Sequence, residues 1–320
     1  MSNSNKLTSE VELAPLGSLK AAPSLWTGVL LVFLGATCIS FSAVFVRLCT
    51  VAPETSSFYR MFFGAIALIL VSGLRRESIR APRVVYVFLG AASLLLCLDL
   101  VFWHYCIYLL GPGLATIIAN FHVFFMAPAG LLLFKERLSA GLLVGLPLAM
   151  LGLALLVGIN GNGIPDTALT GLALGLTASF WYAGYVLVLR QSQYLPRRLS
   201  PLGSVTVMTV GCALIMALVL LGTGKSFIIP DMHNGVILVA YGVFCQALGW
   251  LFLTLGLPRL PASLGAPVML LQPGLAFVWD VIFFDRPVNF LILLGAVVAL
   301  SGIYLAVTGQ MRKNSPGRKT

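Results

Sequence analysis

Charge is what this sequence has least of. Asp, Glu, Lys and Arg make up 9% of its 320 residues, against about 25% in a soluble domain. With 59% hydrophobic residues and a mean hydropathy of +1.00, the shortage excludes a soluble globular protein. The six cysteines (Cys38, Cys49, Cys97, Cys106, Cys212 and Cys245) lie in or just past apolar runs. No two have metal-ligand spacing, so they read as small hydrophobes rather than disulfide partners or zinc ligands. No Walker A pattern, His-x-x-x-His, Gly-x-Ser-x-Gly or paired intramembrane Asp is present. Their absence argues against an ATP-driven pump and a membrane-embedded enzyme, and neither cofactor nor metal is expected. The first 24 residues are polar, with two acidic and two basic side chains. They lack a basic n-region and an Ala-x-Ala cleavage site, so the first apolar run is expected to act as an uncleaved insertion signal.

What is present is a series of ten apolar runs: 25–46, 56–74, 84–108, 113–134, 140–159, 168–189, 202–222, 234–256, 262–284 and 288–308. The expected fold class is an all-α polytopic membrane protein with ten transmembrane helices. Its net charge of +10 is distributed by side. Lys6, Lys20, Arg312, Lys313, Arg318 and Lys319 lie in the tails. Arg75, Arg76, Arg80, Arg83, Lys135, Arg137, Arg190, Arg197, Arg198 and Arg259 lie in even-numbered loops. The odd-numbered loops hold only Arg47, Lys225 and Arg286. By the positive-inside rule both termini, 1–24 and 309–320, are cytoplasmic. The positive charge is therefore topological, and no nucleic-acid partner is expected.

The chain repeats itself weakly. Gly28 and Arg47 recur as Gly171 and Arg190, and Gly145 and Gly152 recur as Gly295 and Gly302, at an offset of 150 for the second pair. Glu136-Arg137 after the fourth run matches Asp285-Arg286 after the ninth. Two five-helix halves, 25–159 and 168–308, follow. An odd helix count turns them to opposite orientations, the inverted repeat of secondary transporters, whose substrate site lies near the midplane. The Gly-rich stretch 158–166 reads as an outer linker between the halves and 191–201 as a basic inner loop.

Asp99 lies inside the third run. A carboxylate at membrane depth costs a few kcal/mol or more, roughly, and is retained where it faces a cavity or partner. His122 lies in the fourth run, across the short turn 109–112. The two residues sit at similar distances from that turn and hence at similar depth. They read either as a proton- or substrate-binding pair or as a structural hydrogen bond that locks the hairpin.

The pattern resembles the drug/metabolite transporter superfamily, specifically its EamA-type transporter family. The resemblance rests on the ten runs, the two halves and the acidic-Arg element before a Gly-x6-Gly helix. It also rests on Pro53-Glu54-Thr55-Ser56-Ser57-Phe58-Tyr59-Arg60 at the entry to the second helix. The second half departs from the usual Gly-Glu-Arg by reading Phe284-Asp285-Arg286. The resemblance covers about 25–308. It implies export or exchange of small metabolites, often amino acids or their derivatives, without ATP.

The other candidates are weighed on position. Gln272 aligns with His122 at the 150 offset, beside the helix-kinking Pro273; it reads as a ligand contact or a helix–helix hydrogen bond. Asn120 is a weaker version of the same case, as is Gln246. The aromatics Trp103, Phe121, Phe125, Trp181, Tyr182, Tyr185, Trp250 and Trp279 could line a cavity; Trp103, one turn from Asp99, and Trp181 and Tyr185, which share a face of the sixth helix, are favoured. His104 is rotated away from Asp99 and is expected near the outer interface. Arg60, about five residues into its helix, is opposed by the macrodipole. It calls for an acidic partner such as Glu54, an anionic ligand, or snorkelling to headgroups. Asp280 is expected to face the membrane interface. The leading function is a secondary transporter of a small organic metabolite in a bacterial inner membrane, outward and exchanging against protons. An organic-anion exchanger of the sugar-phosphate type is the alternative, but it needs clustered intramembrane cations, and only Arg60 is available. A receptor fits less well, since no extracellular domain is present.

Overall fold

The computed structural model describes residues 25–134, 138–157, 166–260 and 268–314. The N-terminal tail 1–24, the first acidic-Arg element at 135–137, the linker at 158–165, and residues 261–267 and 315–320 lie outside the described residues. Thirteen α-helices are named here in chain order. They are α1 Leu25–Ser40, α2 Ser42–Leu48, α3 Pro53–Leu74, α4 Arg83–Leu110, α5 Pro112–Ala119, α6 His122–Phe134 and α7 Ala140–Val157. The chain continues with α8 Asp166–Ser192, α9 Pro201–Thr223, α10 Met232–Ala240, α11 Trp250–Gly256, α12 Leu271–Phe284 and α13 Phe290–Asn314. A π-helical segment, Tyr241–Gly249, joins α10 to α11 without a break, and the 3₁₀ turn Leu257–Arg259 follows.

Among the described residues, seven helical segments are long and apolar enough to cross a membrane: Trp26–Leu48, Pro53–Leu74, Arg83–Leu110, Asp166–Ser192, Pro201–Thr223, Met232–Arg259 and Phe290–Gly309. Three shorter apolar helices, Pro112–Met126, Ala140–Leu156 and Leu271–Phe284, accompany them. The helix ends follow local chemistry. Pro53 and Pro201 open α3 and α9 at a position where a missing N–H costs nothing. Ser200 caps α9 by accepting from the Gly203 N–H at 2.9 Å. Gly111, at φ +85°, turns the chain sharply from α4 into α5.

Three of the apolar runs are interrupted, the ninth close to the kink expected at Pro273, and each interruption has a cause. The first run is interrupted at Phe41, where Thr37 and Ser40 hydroxyls back-bond to Phe33 O (2.9 Å) and Thr37 O (2.6 Å), a pattern that bends helices. The fourth run is interrupted at 120–121. There the Asn120 amide donates to Thr116 O at 2.8 Å, and the Asn120 and Phe121 N–H groups bond three residues back, tightening the last turn of α5. In the ninth run the helix restarts after Leu270, and Pro273 falls in the first turn of α12, where its missing N–H is tolerated.

Packing is set by small residues. The long helix α13 lies along α7, α4 along α8, and α3 along α9, while α1 packs on the π segment and α11, and α5 on α12. In the α7–α13 pair the backbones touch. A Cβ built on Gly302 would stand 2.6 Å from Gly145 O, and one on Gly295 would stand 2.9 Å from Gly152 O. A Cβ on Gly152 would collide with the Ala299 backbone. The main apolar core includes Trp103 of α4, Ile118 of α5, Tyr185 of α8, Met208 of α9 and Tyr241 of the π segment, with further residues from α2, α3, α7, α12 and α13. Large apolar side chains elsewhere, such as Leu70, Val87, Leu143 and Leu218, point outward, as a lipid-facing surface requires.

Candidate functional site

The interrupted helices meet around one cavity of about 100 Å³. Ile39 and Ser42 reach it from either side of the α1–α2 break, and Thr116, Ala119, Asn120 and His122 from the α5–α6 break. Met269 and Gln272 flank the break before α12, and Gln246, Trp250 and Leu253 come from the π segment and α11. Arg60 of α3, Tyr182 of α8, and Leu96, Asp99, Leu100 and Trp103 of α4 complete the wall. Discontinuous helices expose backbone and polar groups only where these line a cavity or are buried in protein.

Arg60 is held by an array of neutral partners. Its Nε donates to Gln246 Oε1 at 3.1 Å and an Nη donates to the Tyr241 hydroxyl at 2.9 Å. The guanidinium also lies over the Tyr241 and Trp103 rings, 5.0 and 6.0 Å from their centroids, in cation–π contact. The Gln246 amide passes the array to Thr209 Oγ1 at 3.1 Å. The Tyr241 hydroxyl passes it to His104 Nε2 at 3.4 Å, and His104 Nδ1 lies 2.6 Å from Leu100 O and 3.3 Å from Ser57 Oγ. The π segment makes this possible. Its wider turn brings residues five apart, Tyr241 and Gln246, to one face. Gly64, one turn beyond Arg60, lets α3 approach closely: a Cβ there would stand 2.8 Å from Gln246 Cβ.

Asp99 is buried, 6% exposed, and its carboxylate takes no hydrogen bond or ion pair among the described residues. Its charge reaches Arg60 on α3, Tyr182 and Tyr185 on α8, and Cys97 on its own helix. The indole N–H of Trp103, 7% exposed, is also without a partner. An unpartnered buried donor on a side chain that lines a cavity is unusual, because an unmade buried hydrogen bond costs about 1–3 kcal/mol.

Seven sequence candidates therefore share this cavity: Arg60, Asp99, Trp103, Asn120, His122, Gln246 and Gln272. Asp99 and His122 make no hydrogen bond to each other. His122 Nδ1 lies 3.0 Å from Ala119 O, and its ring meets Tyr182 edge-on at 4.7 Å. His104 is not near the surface; it is fully buried behind the wall. On α8 the side chain that lines the cavity is Tyr182. Tyr185 is buried beneath it, ring centroids 5.2 Å apart, and Trp181 packs on Phe180. Arg60 does not snorkel and is 7% exposed, and α3 begins at Pro53, so it sits a full turn deeper than expected. Glu54 is engaged by the Tyr105 hydroxyl at 2.7 Å rather than by Arg60. On α8 the favoured Trp181 and Tyr185 thus give way to Tyr182; the site also takes in Trp250, a less favoured sequence candidate, and Tyr241, which the sequence did not single out. The π segment shifts the helical register of the last two, and no residue type announces it.

Asp280 also departs from expectation. It is 2% exposed, accepts from the Gly113 N–H at 3.0 Å and pairs with Arg286 at 2.8 Å. Arg286 in turn donates to Leu110 O at 2.9 Å. The pair thus clamps the α4–α5 turn to α12, and Gly111 and Gly113 leave room for it. Asp280→Ala removes the only acidic partner Arg286 has among the described residues. Breaking such a buried pair costs about 3 kcal/mol; the purified protein is expected to unfold at lower temperature than the wild type. Asp280→Asn, which still accepts from Gly113, is expected to lose less.

A cavity carrying a few charged and polar groups among apolar helices, several of them broken at its wall, is the architecture of a membrane carrier. The profile of the EamA-like transporter family matches residues 26–158 and again 169–308, and the chain belongs to that family. It is an integral membrane protein of a transporter family. The chain is 28% identical over 208 residues to the "Probable amino-acid metabolite efflux pump" of Salmonella typhimurium, covering 62% of this chain and 68% of that one. The same-named protein of Escherichia coli is 27% identical over the same length and shares. A solved crystal structure superposes with a TM-score of 0.66 at 18% identity, covering 91% of this chain and 100% of that one; the likeness is one of fold.

Proposed function

We propose that the protein is a secondary active exporter of a small organic metabolite, an amino acid or a related compound, driven by exchange against protons. Its ten spans form two inverted repeats, 25–159 and 168–308, in a bacterial inner membrane with both termini cytoplasmic. The observation that carries this reading is the unpaired Asp99 carboxylate in a cavity where broken helices meet. Such a group binds a proton or a cationic ligand when the cavity opens, and its burial makes either partner matter. The helix packing supports the inverted repeat. Exchanging the halves turns the α4–α8 contact into that of the π segment and α11 with α1, and leaves the α7–α13 and α3–α9 pairs in place. His122 and Gln272, 150 residues apart, face the same cavity. The names of the two relatives support an amino-acid metabolite as cargo. A single guanidinium balanced by one carboxylate disfavours a sugar-phosphate dianion.

Two experiments test the reading. Vesicles reconstituted with the protein are loaded with a metabolite mixture and given a pH gradient. Protein-dependent loss of one or more amino acids is expected, and an unchanged content in every case contradicts the export reading. A reporter fused after Thr320 is expected to be active only in the cytoplasm; activity outside contradicts the ten-span topology.

A further inference from the structure

The cavity wall presents two separated and opposite charge sites. Arg60 and Asp99 are the one guanidinium and the one carboxylate among the lining residues, and they make no ion pair with each other. Arg60's protein partners are a side-chain amide, a hydroxyl and two ring faces, so its positive charge is oriented but not neutralised. Next to it the Trp103 indole N–H has no acceptor. Asp99, one turn before Trp103 on the same helix, has no donor among the described residues. The Asn120 amide, which donates to Thr116 O, leaves its oxygen without a hydrogen bond among the described residues. Two buried ions left unpaired are each costly, and a ligand carrying both opposite charges would offset both costs at once.

We infer that the cavity reads a zwitterion. Arg60 and the Trp103 N–H form a carboxylate subsite, and Asp99 with the Asn120 amide oxygen forms an ammonium subsite. The inference rests on the carrier reading above and specifies which residue reads which end of the cargo. An α-amino acid carries its two charges on adjacent atoms of one carbon skeleton and bridges such a gap. The planar guanidinium and the indole N–H offer a carboxylate parallel donors. A cavity of about 100 Å³ suits a small cargo, with Leu100, Leu253 and Trp250 available to its side chain. The arrangement also gives a route to coupling. Asp99 holds either a proton or the ammonium end, so the two ligands compete for one site.

The test uses the full-length protein in detergent and in vesicles. The probe is whichever of the twenty protein amino acids the wild type exports fastest. Competitors are its decarboxylated amine and its deaminated acid; for leucine these are isoamylamine and 4-methylpentanoate. Each lacks one charge-assisted hydrogen-bonding group, so each is expected to compete at least about ten-fold more weakly than the intact amino acid. Read as competition for binding to the detergent-solubilised protein, which needs no flux, Asp99→Asn is expected to erase the preference over the deaminated acid while keeping that over the amine. Arg60→Gln is expected to do the reverse, and Arg60→Lys to restore part of the preference. The wild-type comparison needs no variant to fold. If the wild type exports an amino acid but the amine or the acid competes equally well, the charge assignment is overturned and the carrier reading stands. If it exports no amino acid, both fall.

Discussion

Asp99→Asn is expected to reduce pH-driven flux to the level of empty vesicles while the protein still folds and inserts. The substitution keeps the side chain's size and removes the charge that protonation switches. Nothing structural is lost with it, because the carboxylate takes no hydrogen bond or ion pair among the described residues. The charged and titratable groups facing it are Arg60 from α3, His122 from α6, Tyr182 and Tyr185 from α8, and Cys97 on α4. His104 and Tyr241 stand behind Arg60. Flux against pH in reconstituted vesicles is the measurement. His122→Ala is expected to flatten the profile without abolishing flux, since His122 bonds to Ala119 O rather than to Asp99. The double variant is expected to be no worse than Asp99→Asn alone, as for groups that act in one step. Transport by Asp99→Asn with an unchanged profile would make Asp99 a structural polar group and place the coupling elsewhere.

The second large effect is steric. Gly152→Leu or Gly302→Leu is expected to abolish transport, because the new side chain meets backbone rather than a movable side chain. Overpacking a side-chain site costs about 1–3 kcal/mol, and a backbone contact relaxes less. The α7 and α13 helices would have to separate along their whole shared length, and close packing of small residues is what joins membrane helices. Gly90→Leu is the control. A Cβ at Gly90 meets nothing within 4 Å, so normal flux is expected. Full transport by both Gly152→Leu and Gly302→Leu would show that this contact is dispensable.

The membrane class and the family were legible because they rest on long-range averages: low charge and apolar runs of bilayer length. The cavity's charged residues were legible for a related reason. Asp99 and Arg60 stand out because an ion in an apolar run needs a purpose. The exact wall was not legible. Trp181, Tyr182 and Tyr185 are separated by a rotation of α8 that only packing decides, and an aromatic-rich face points equally well to core, lipid or cavity. Tyr241 and Trp250 depend on a π-helical segment whose sequence, Tyr241–Gly249, reads as ordinary apolar helix. Asp280 was misplaced because distance from a helix end was taken as exposure. Its partner Arg286 lies beyond the helix and folds back onto it.

The most direct test is whether cargo passes through this cavity. Ala119 lines it at the end of α5, and an indole there fills space of about 100 Å³ that the cargo needs. Efflux of a labelled amino acid from vesicles holding Ala119→Trp is compared with efflux from vesicles holding the wild type, both proteins checked for the same size-exclusion profile. The expected result is efflux by the wild type alone. Equal efflux from the two would mean that the cargo takes another path.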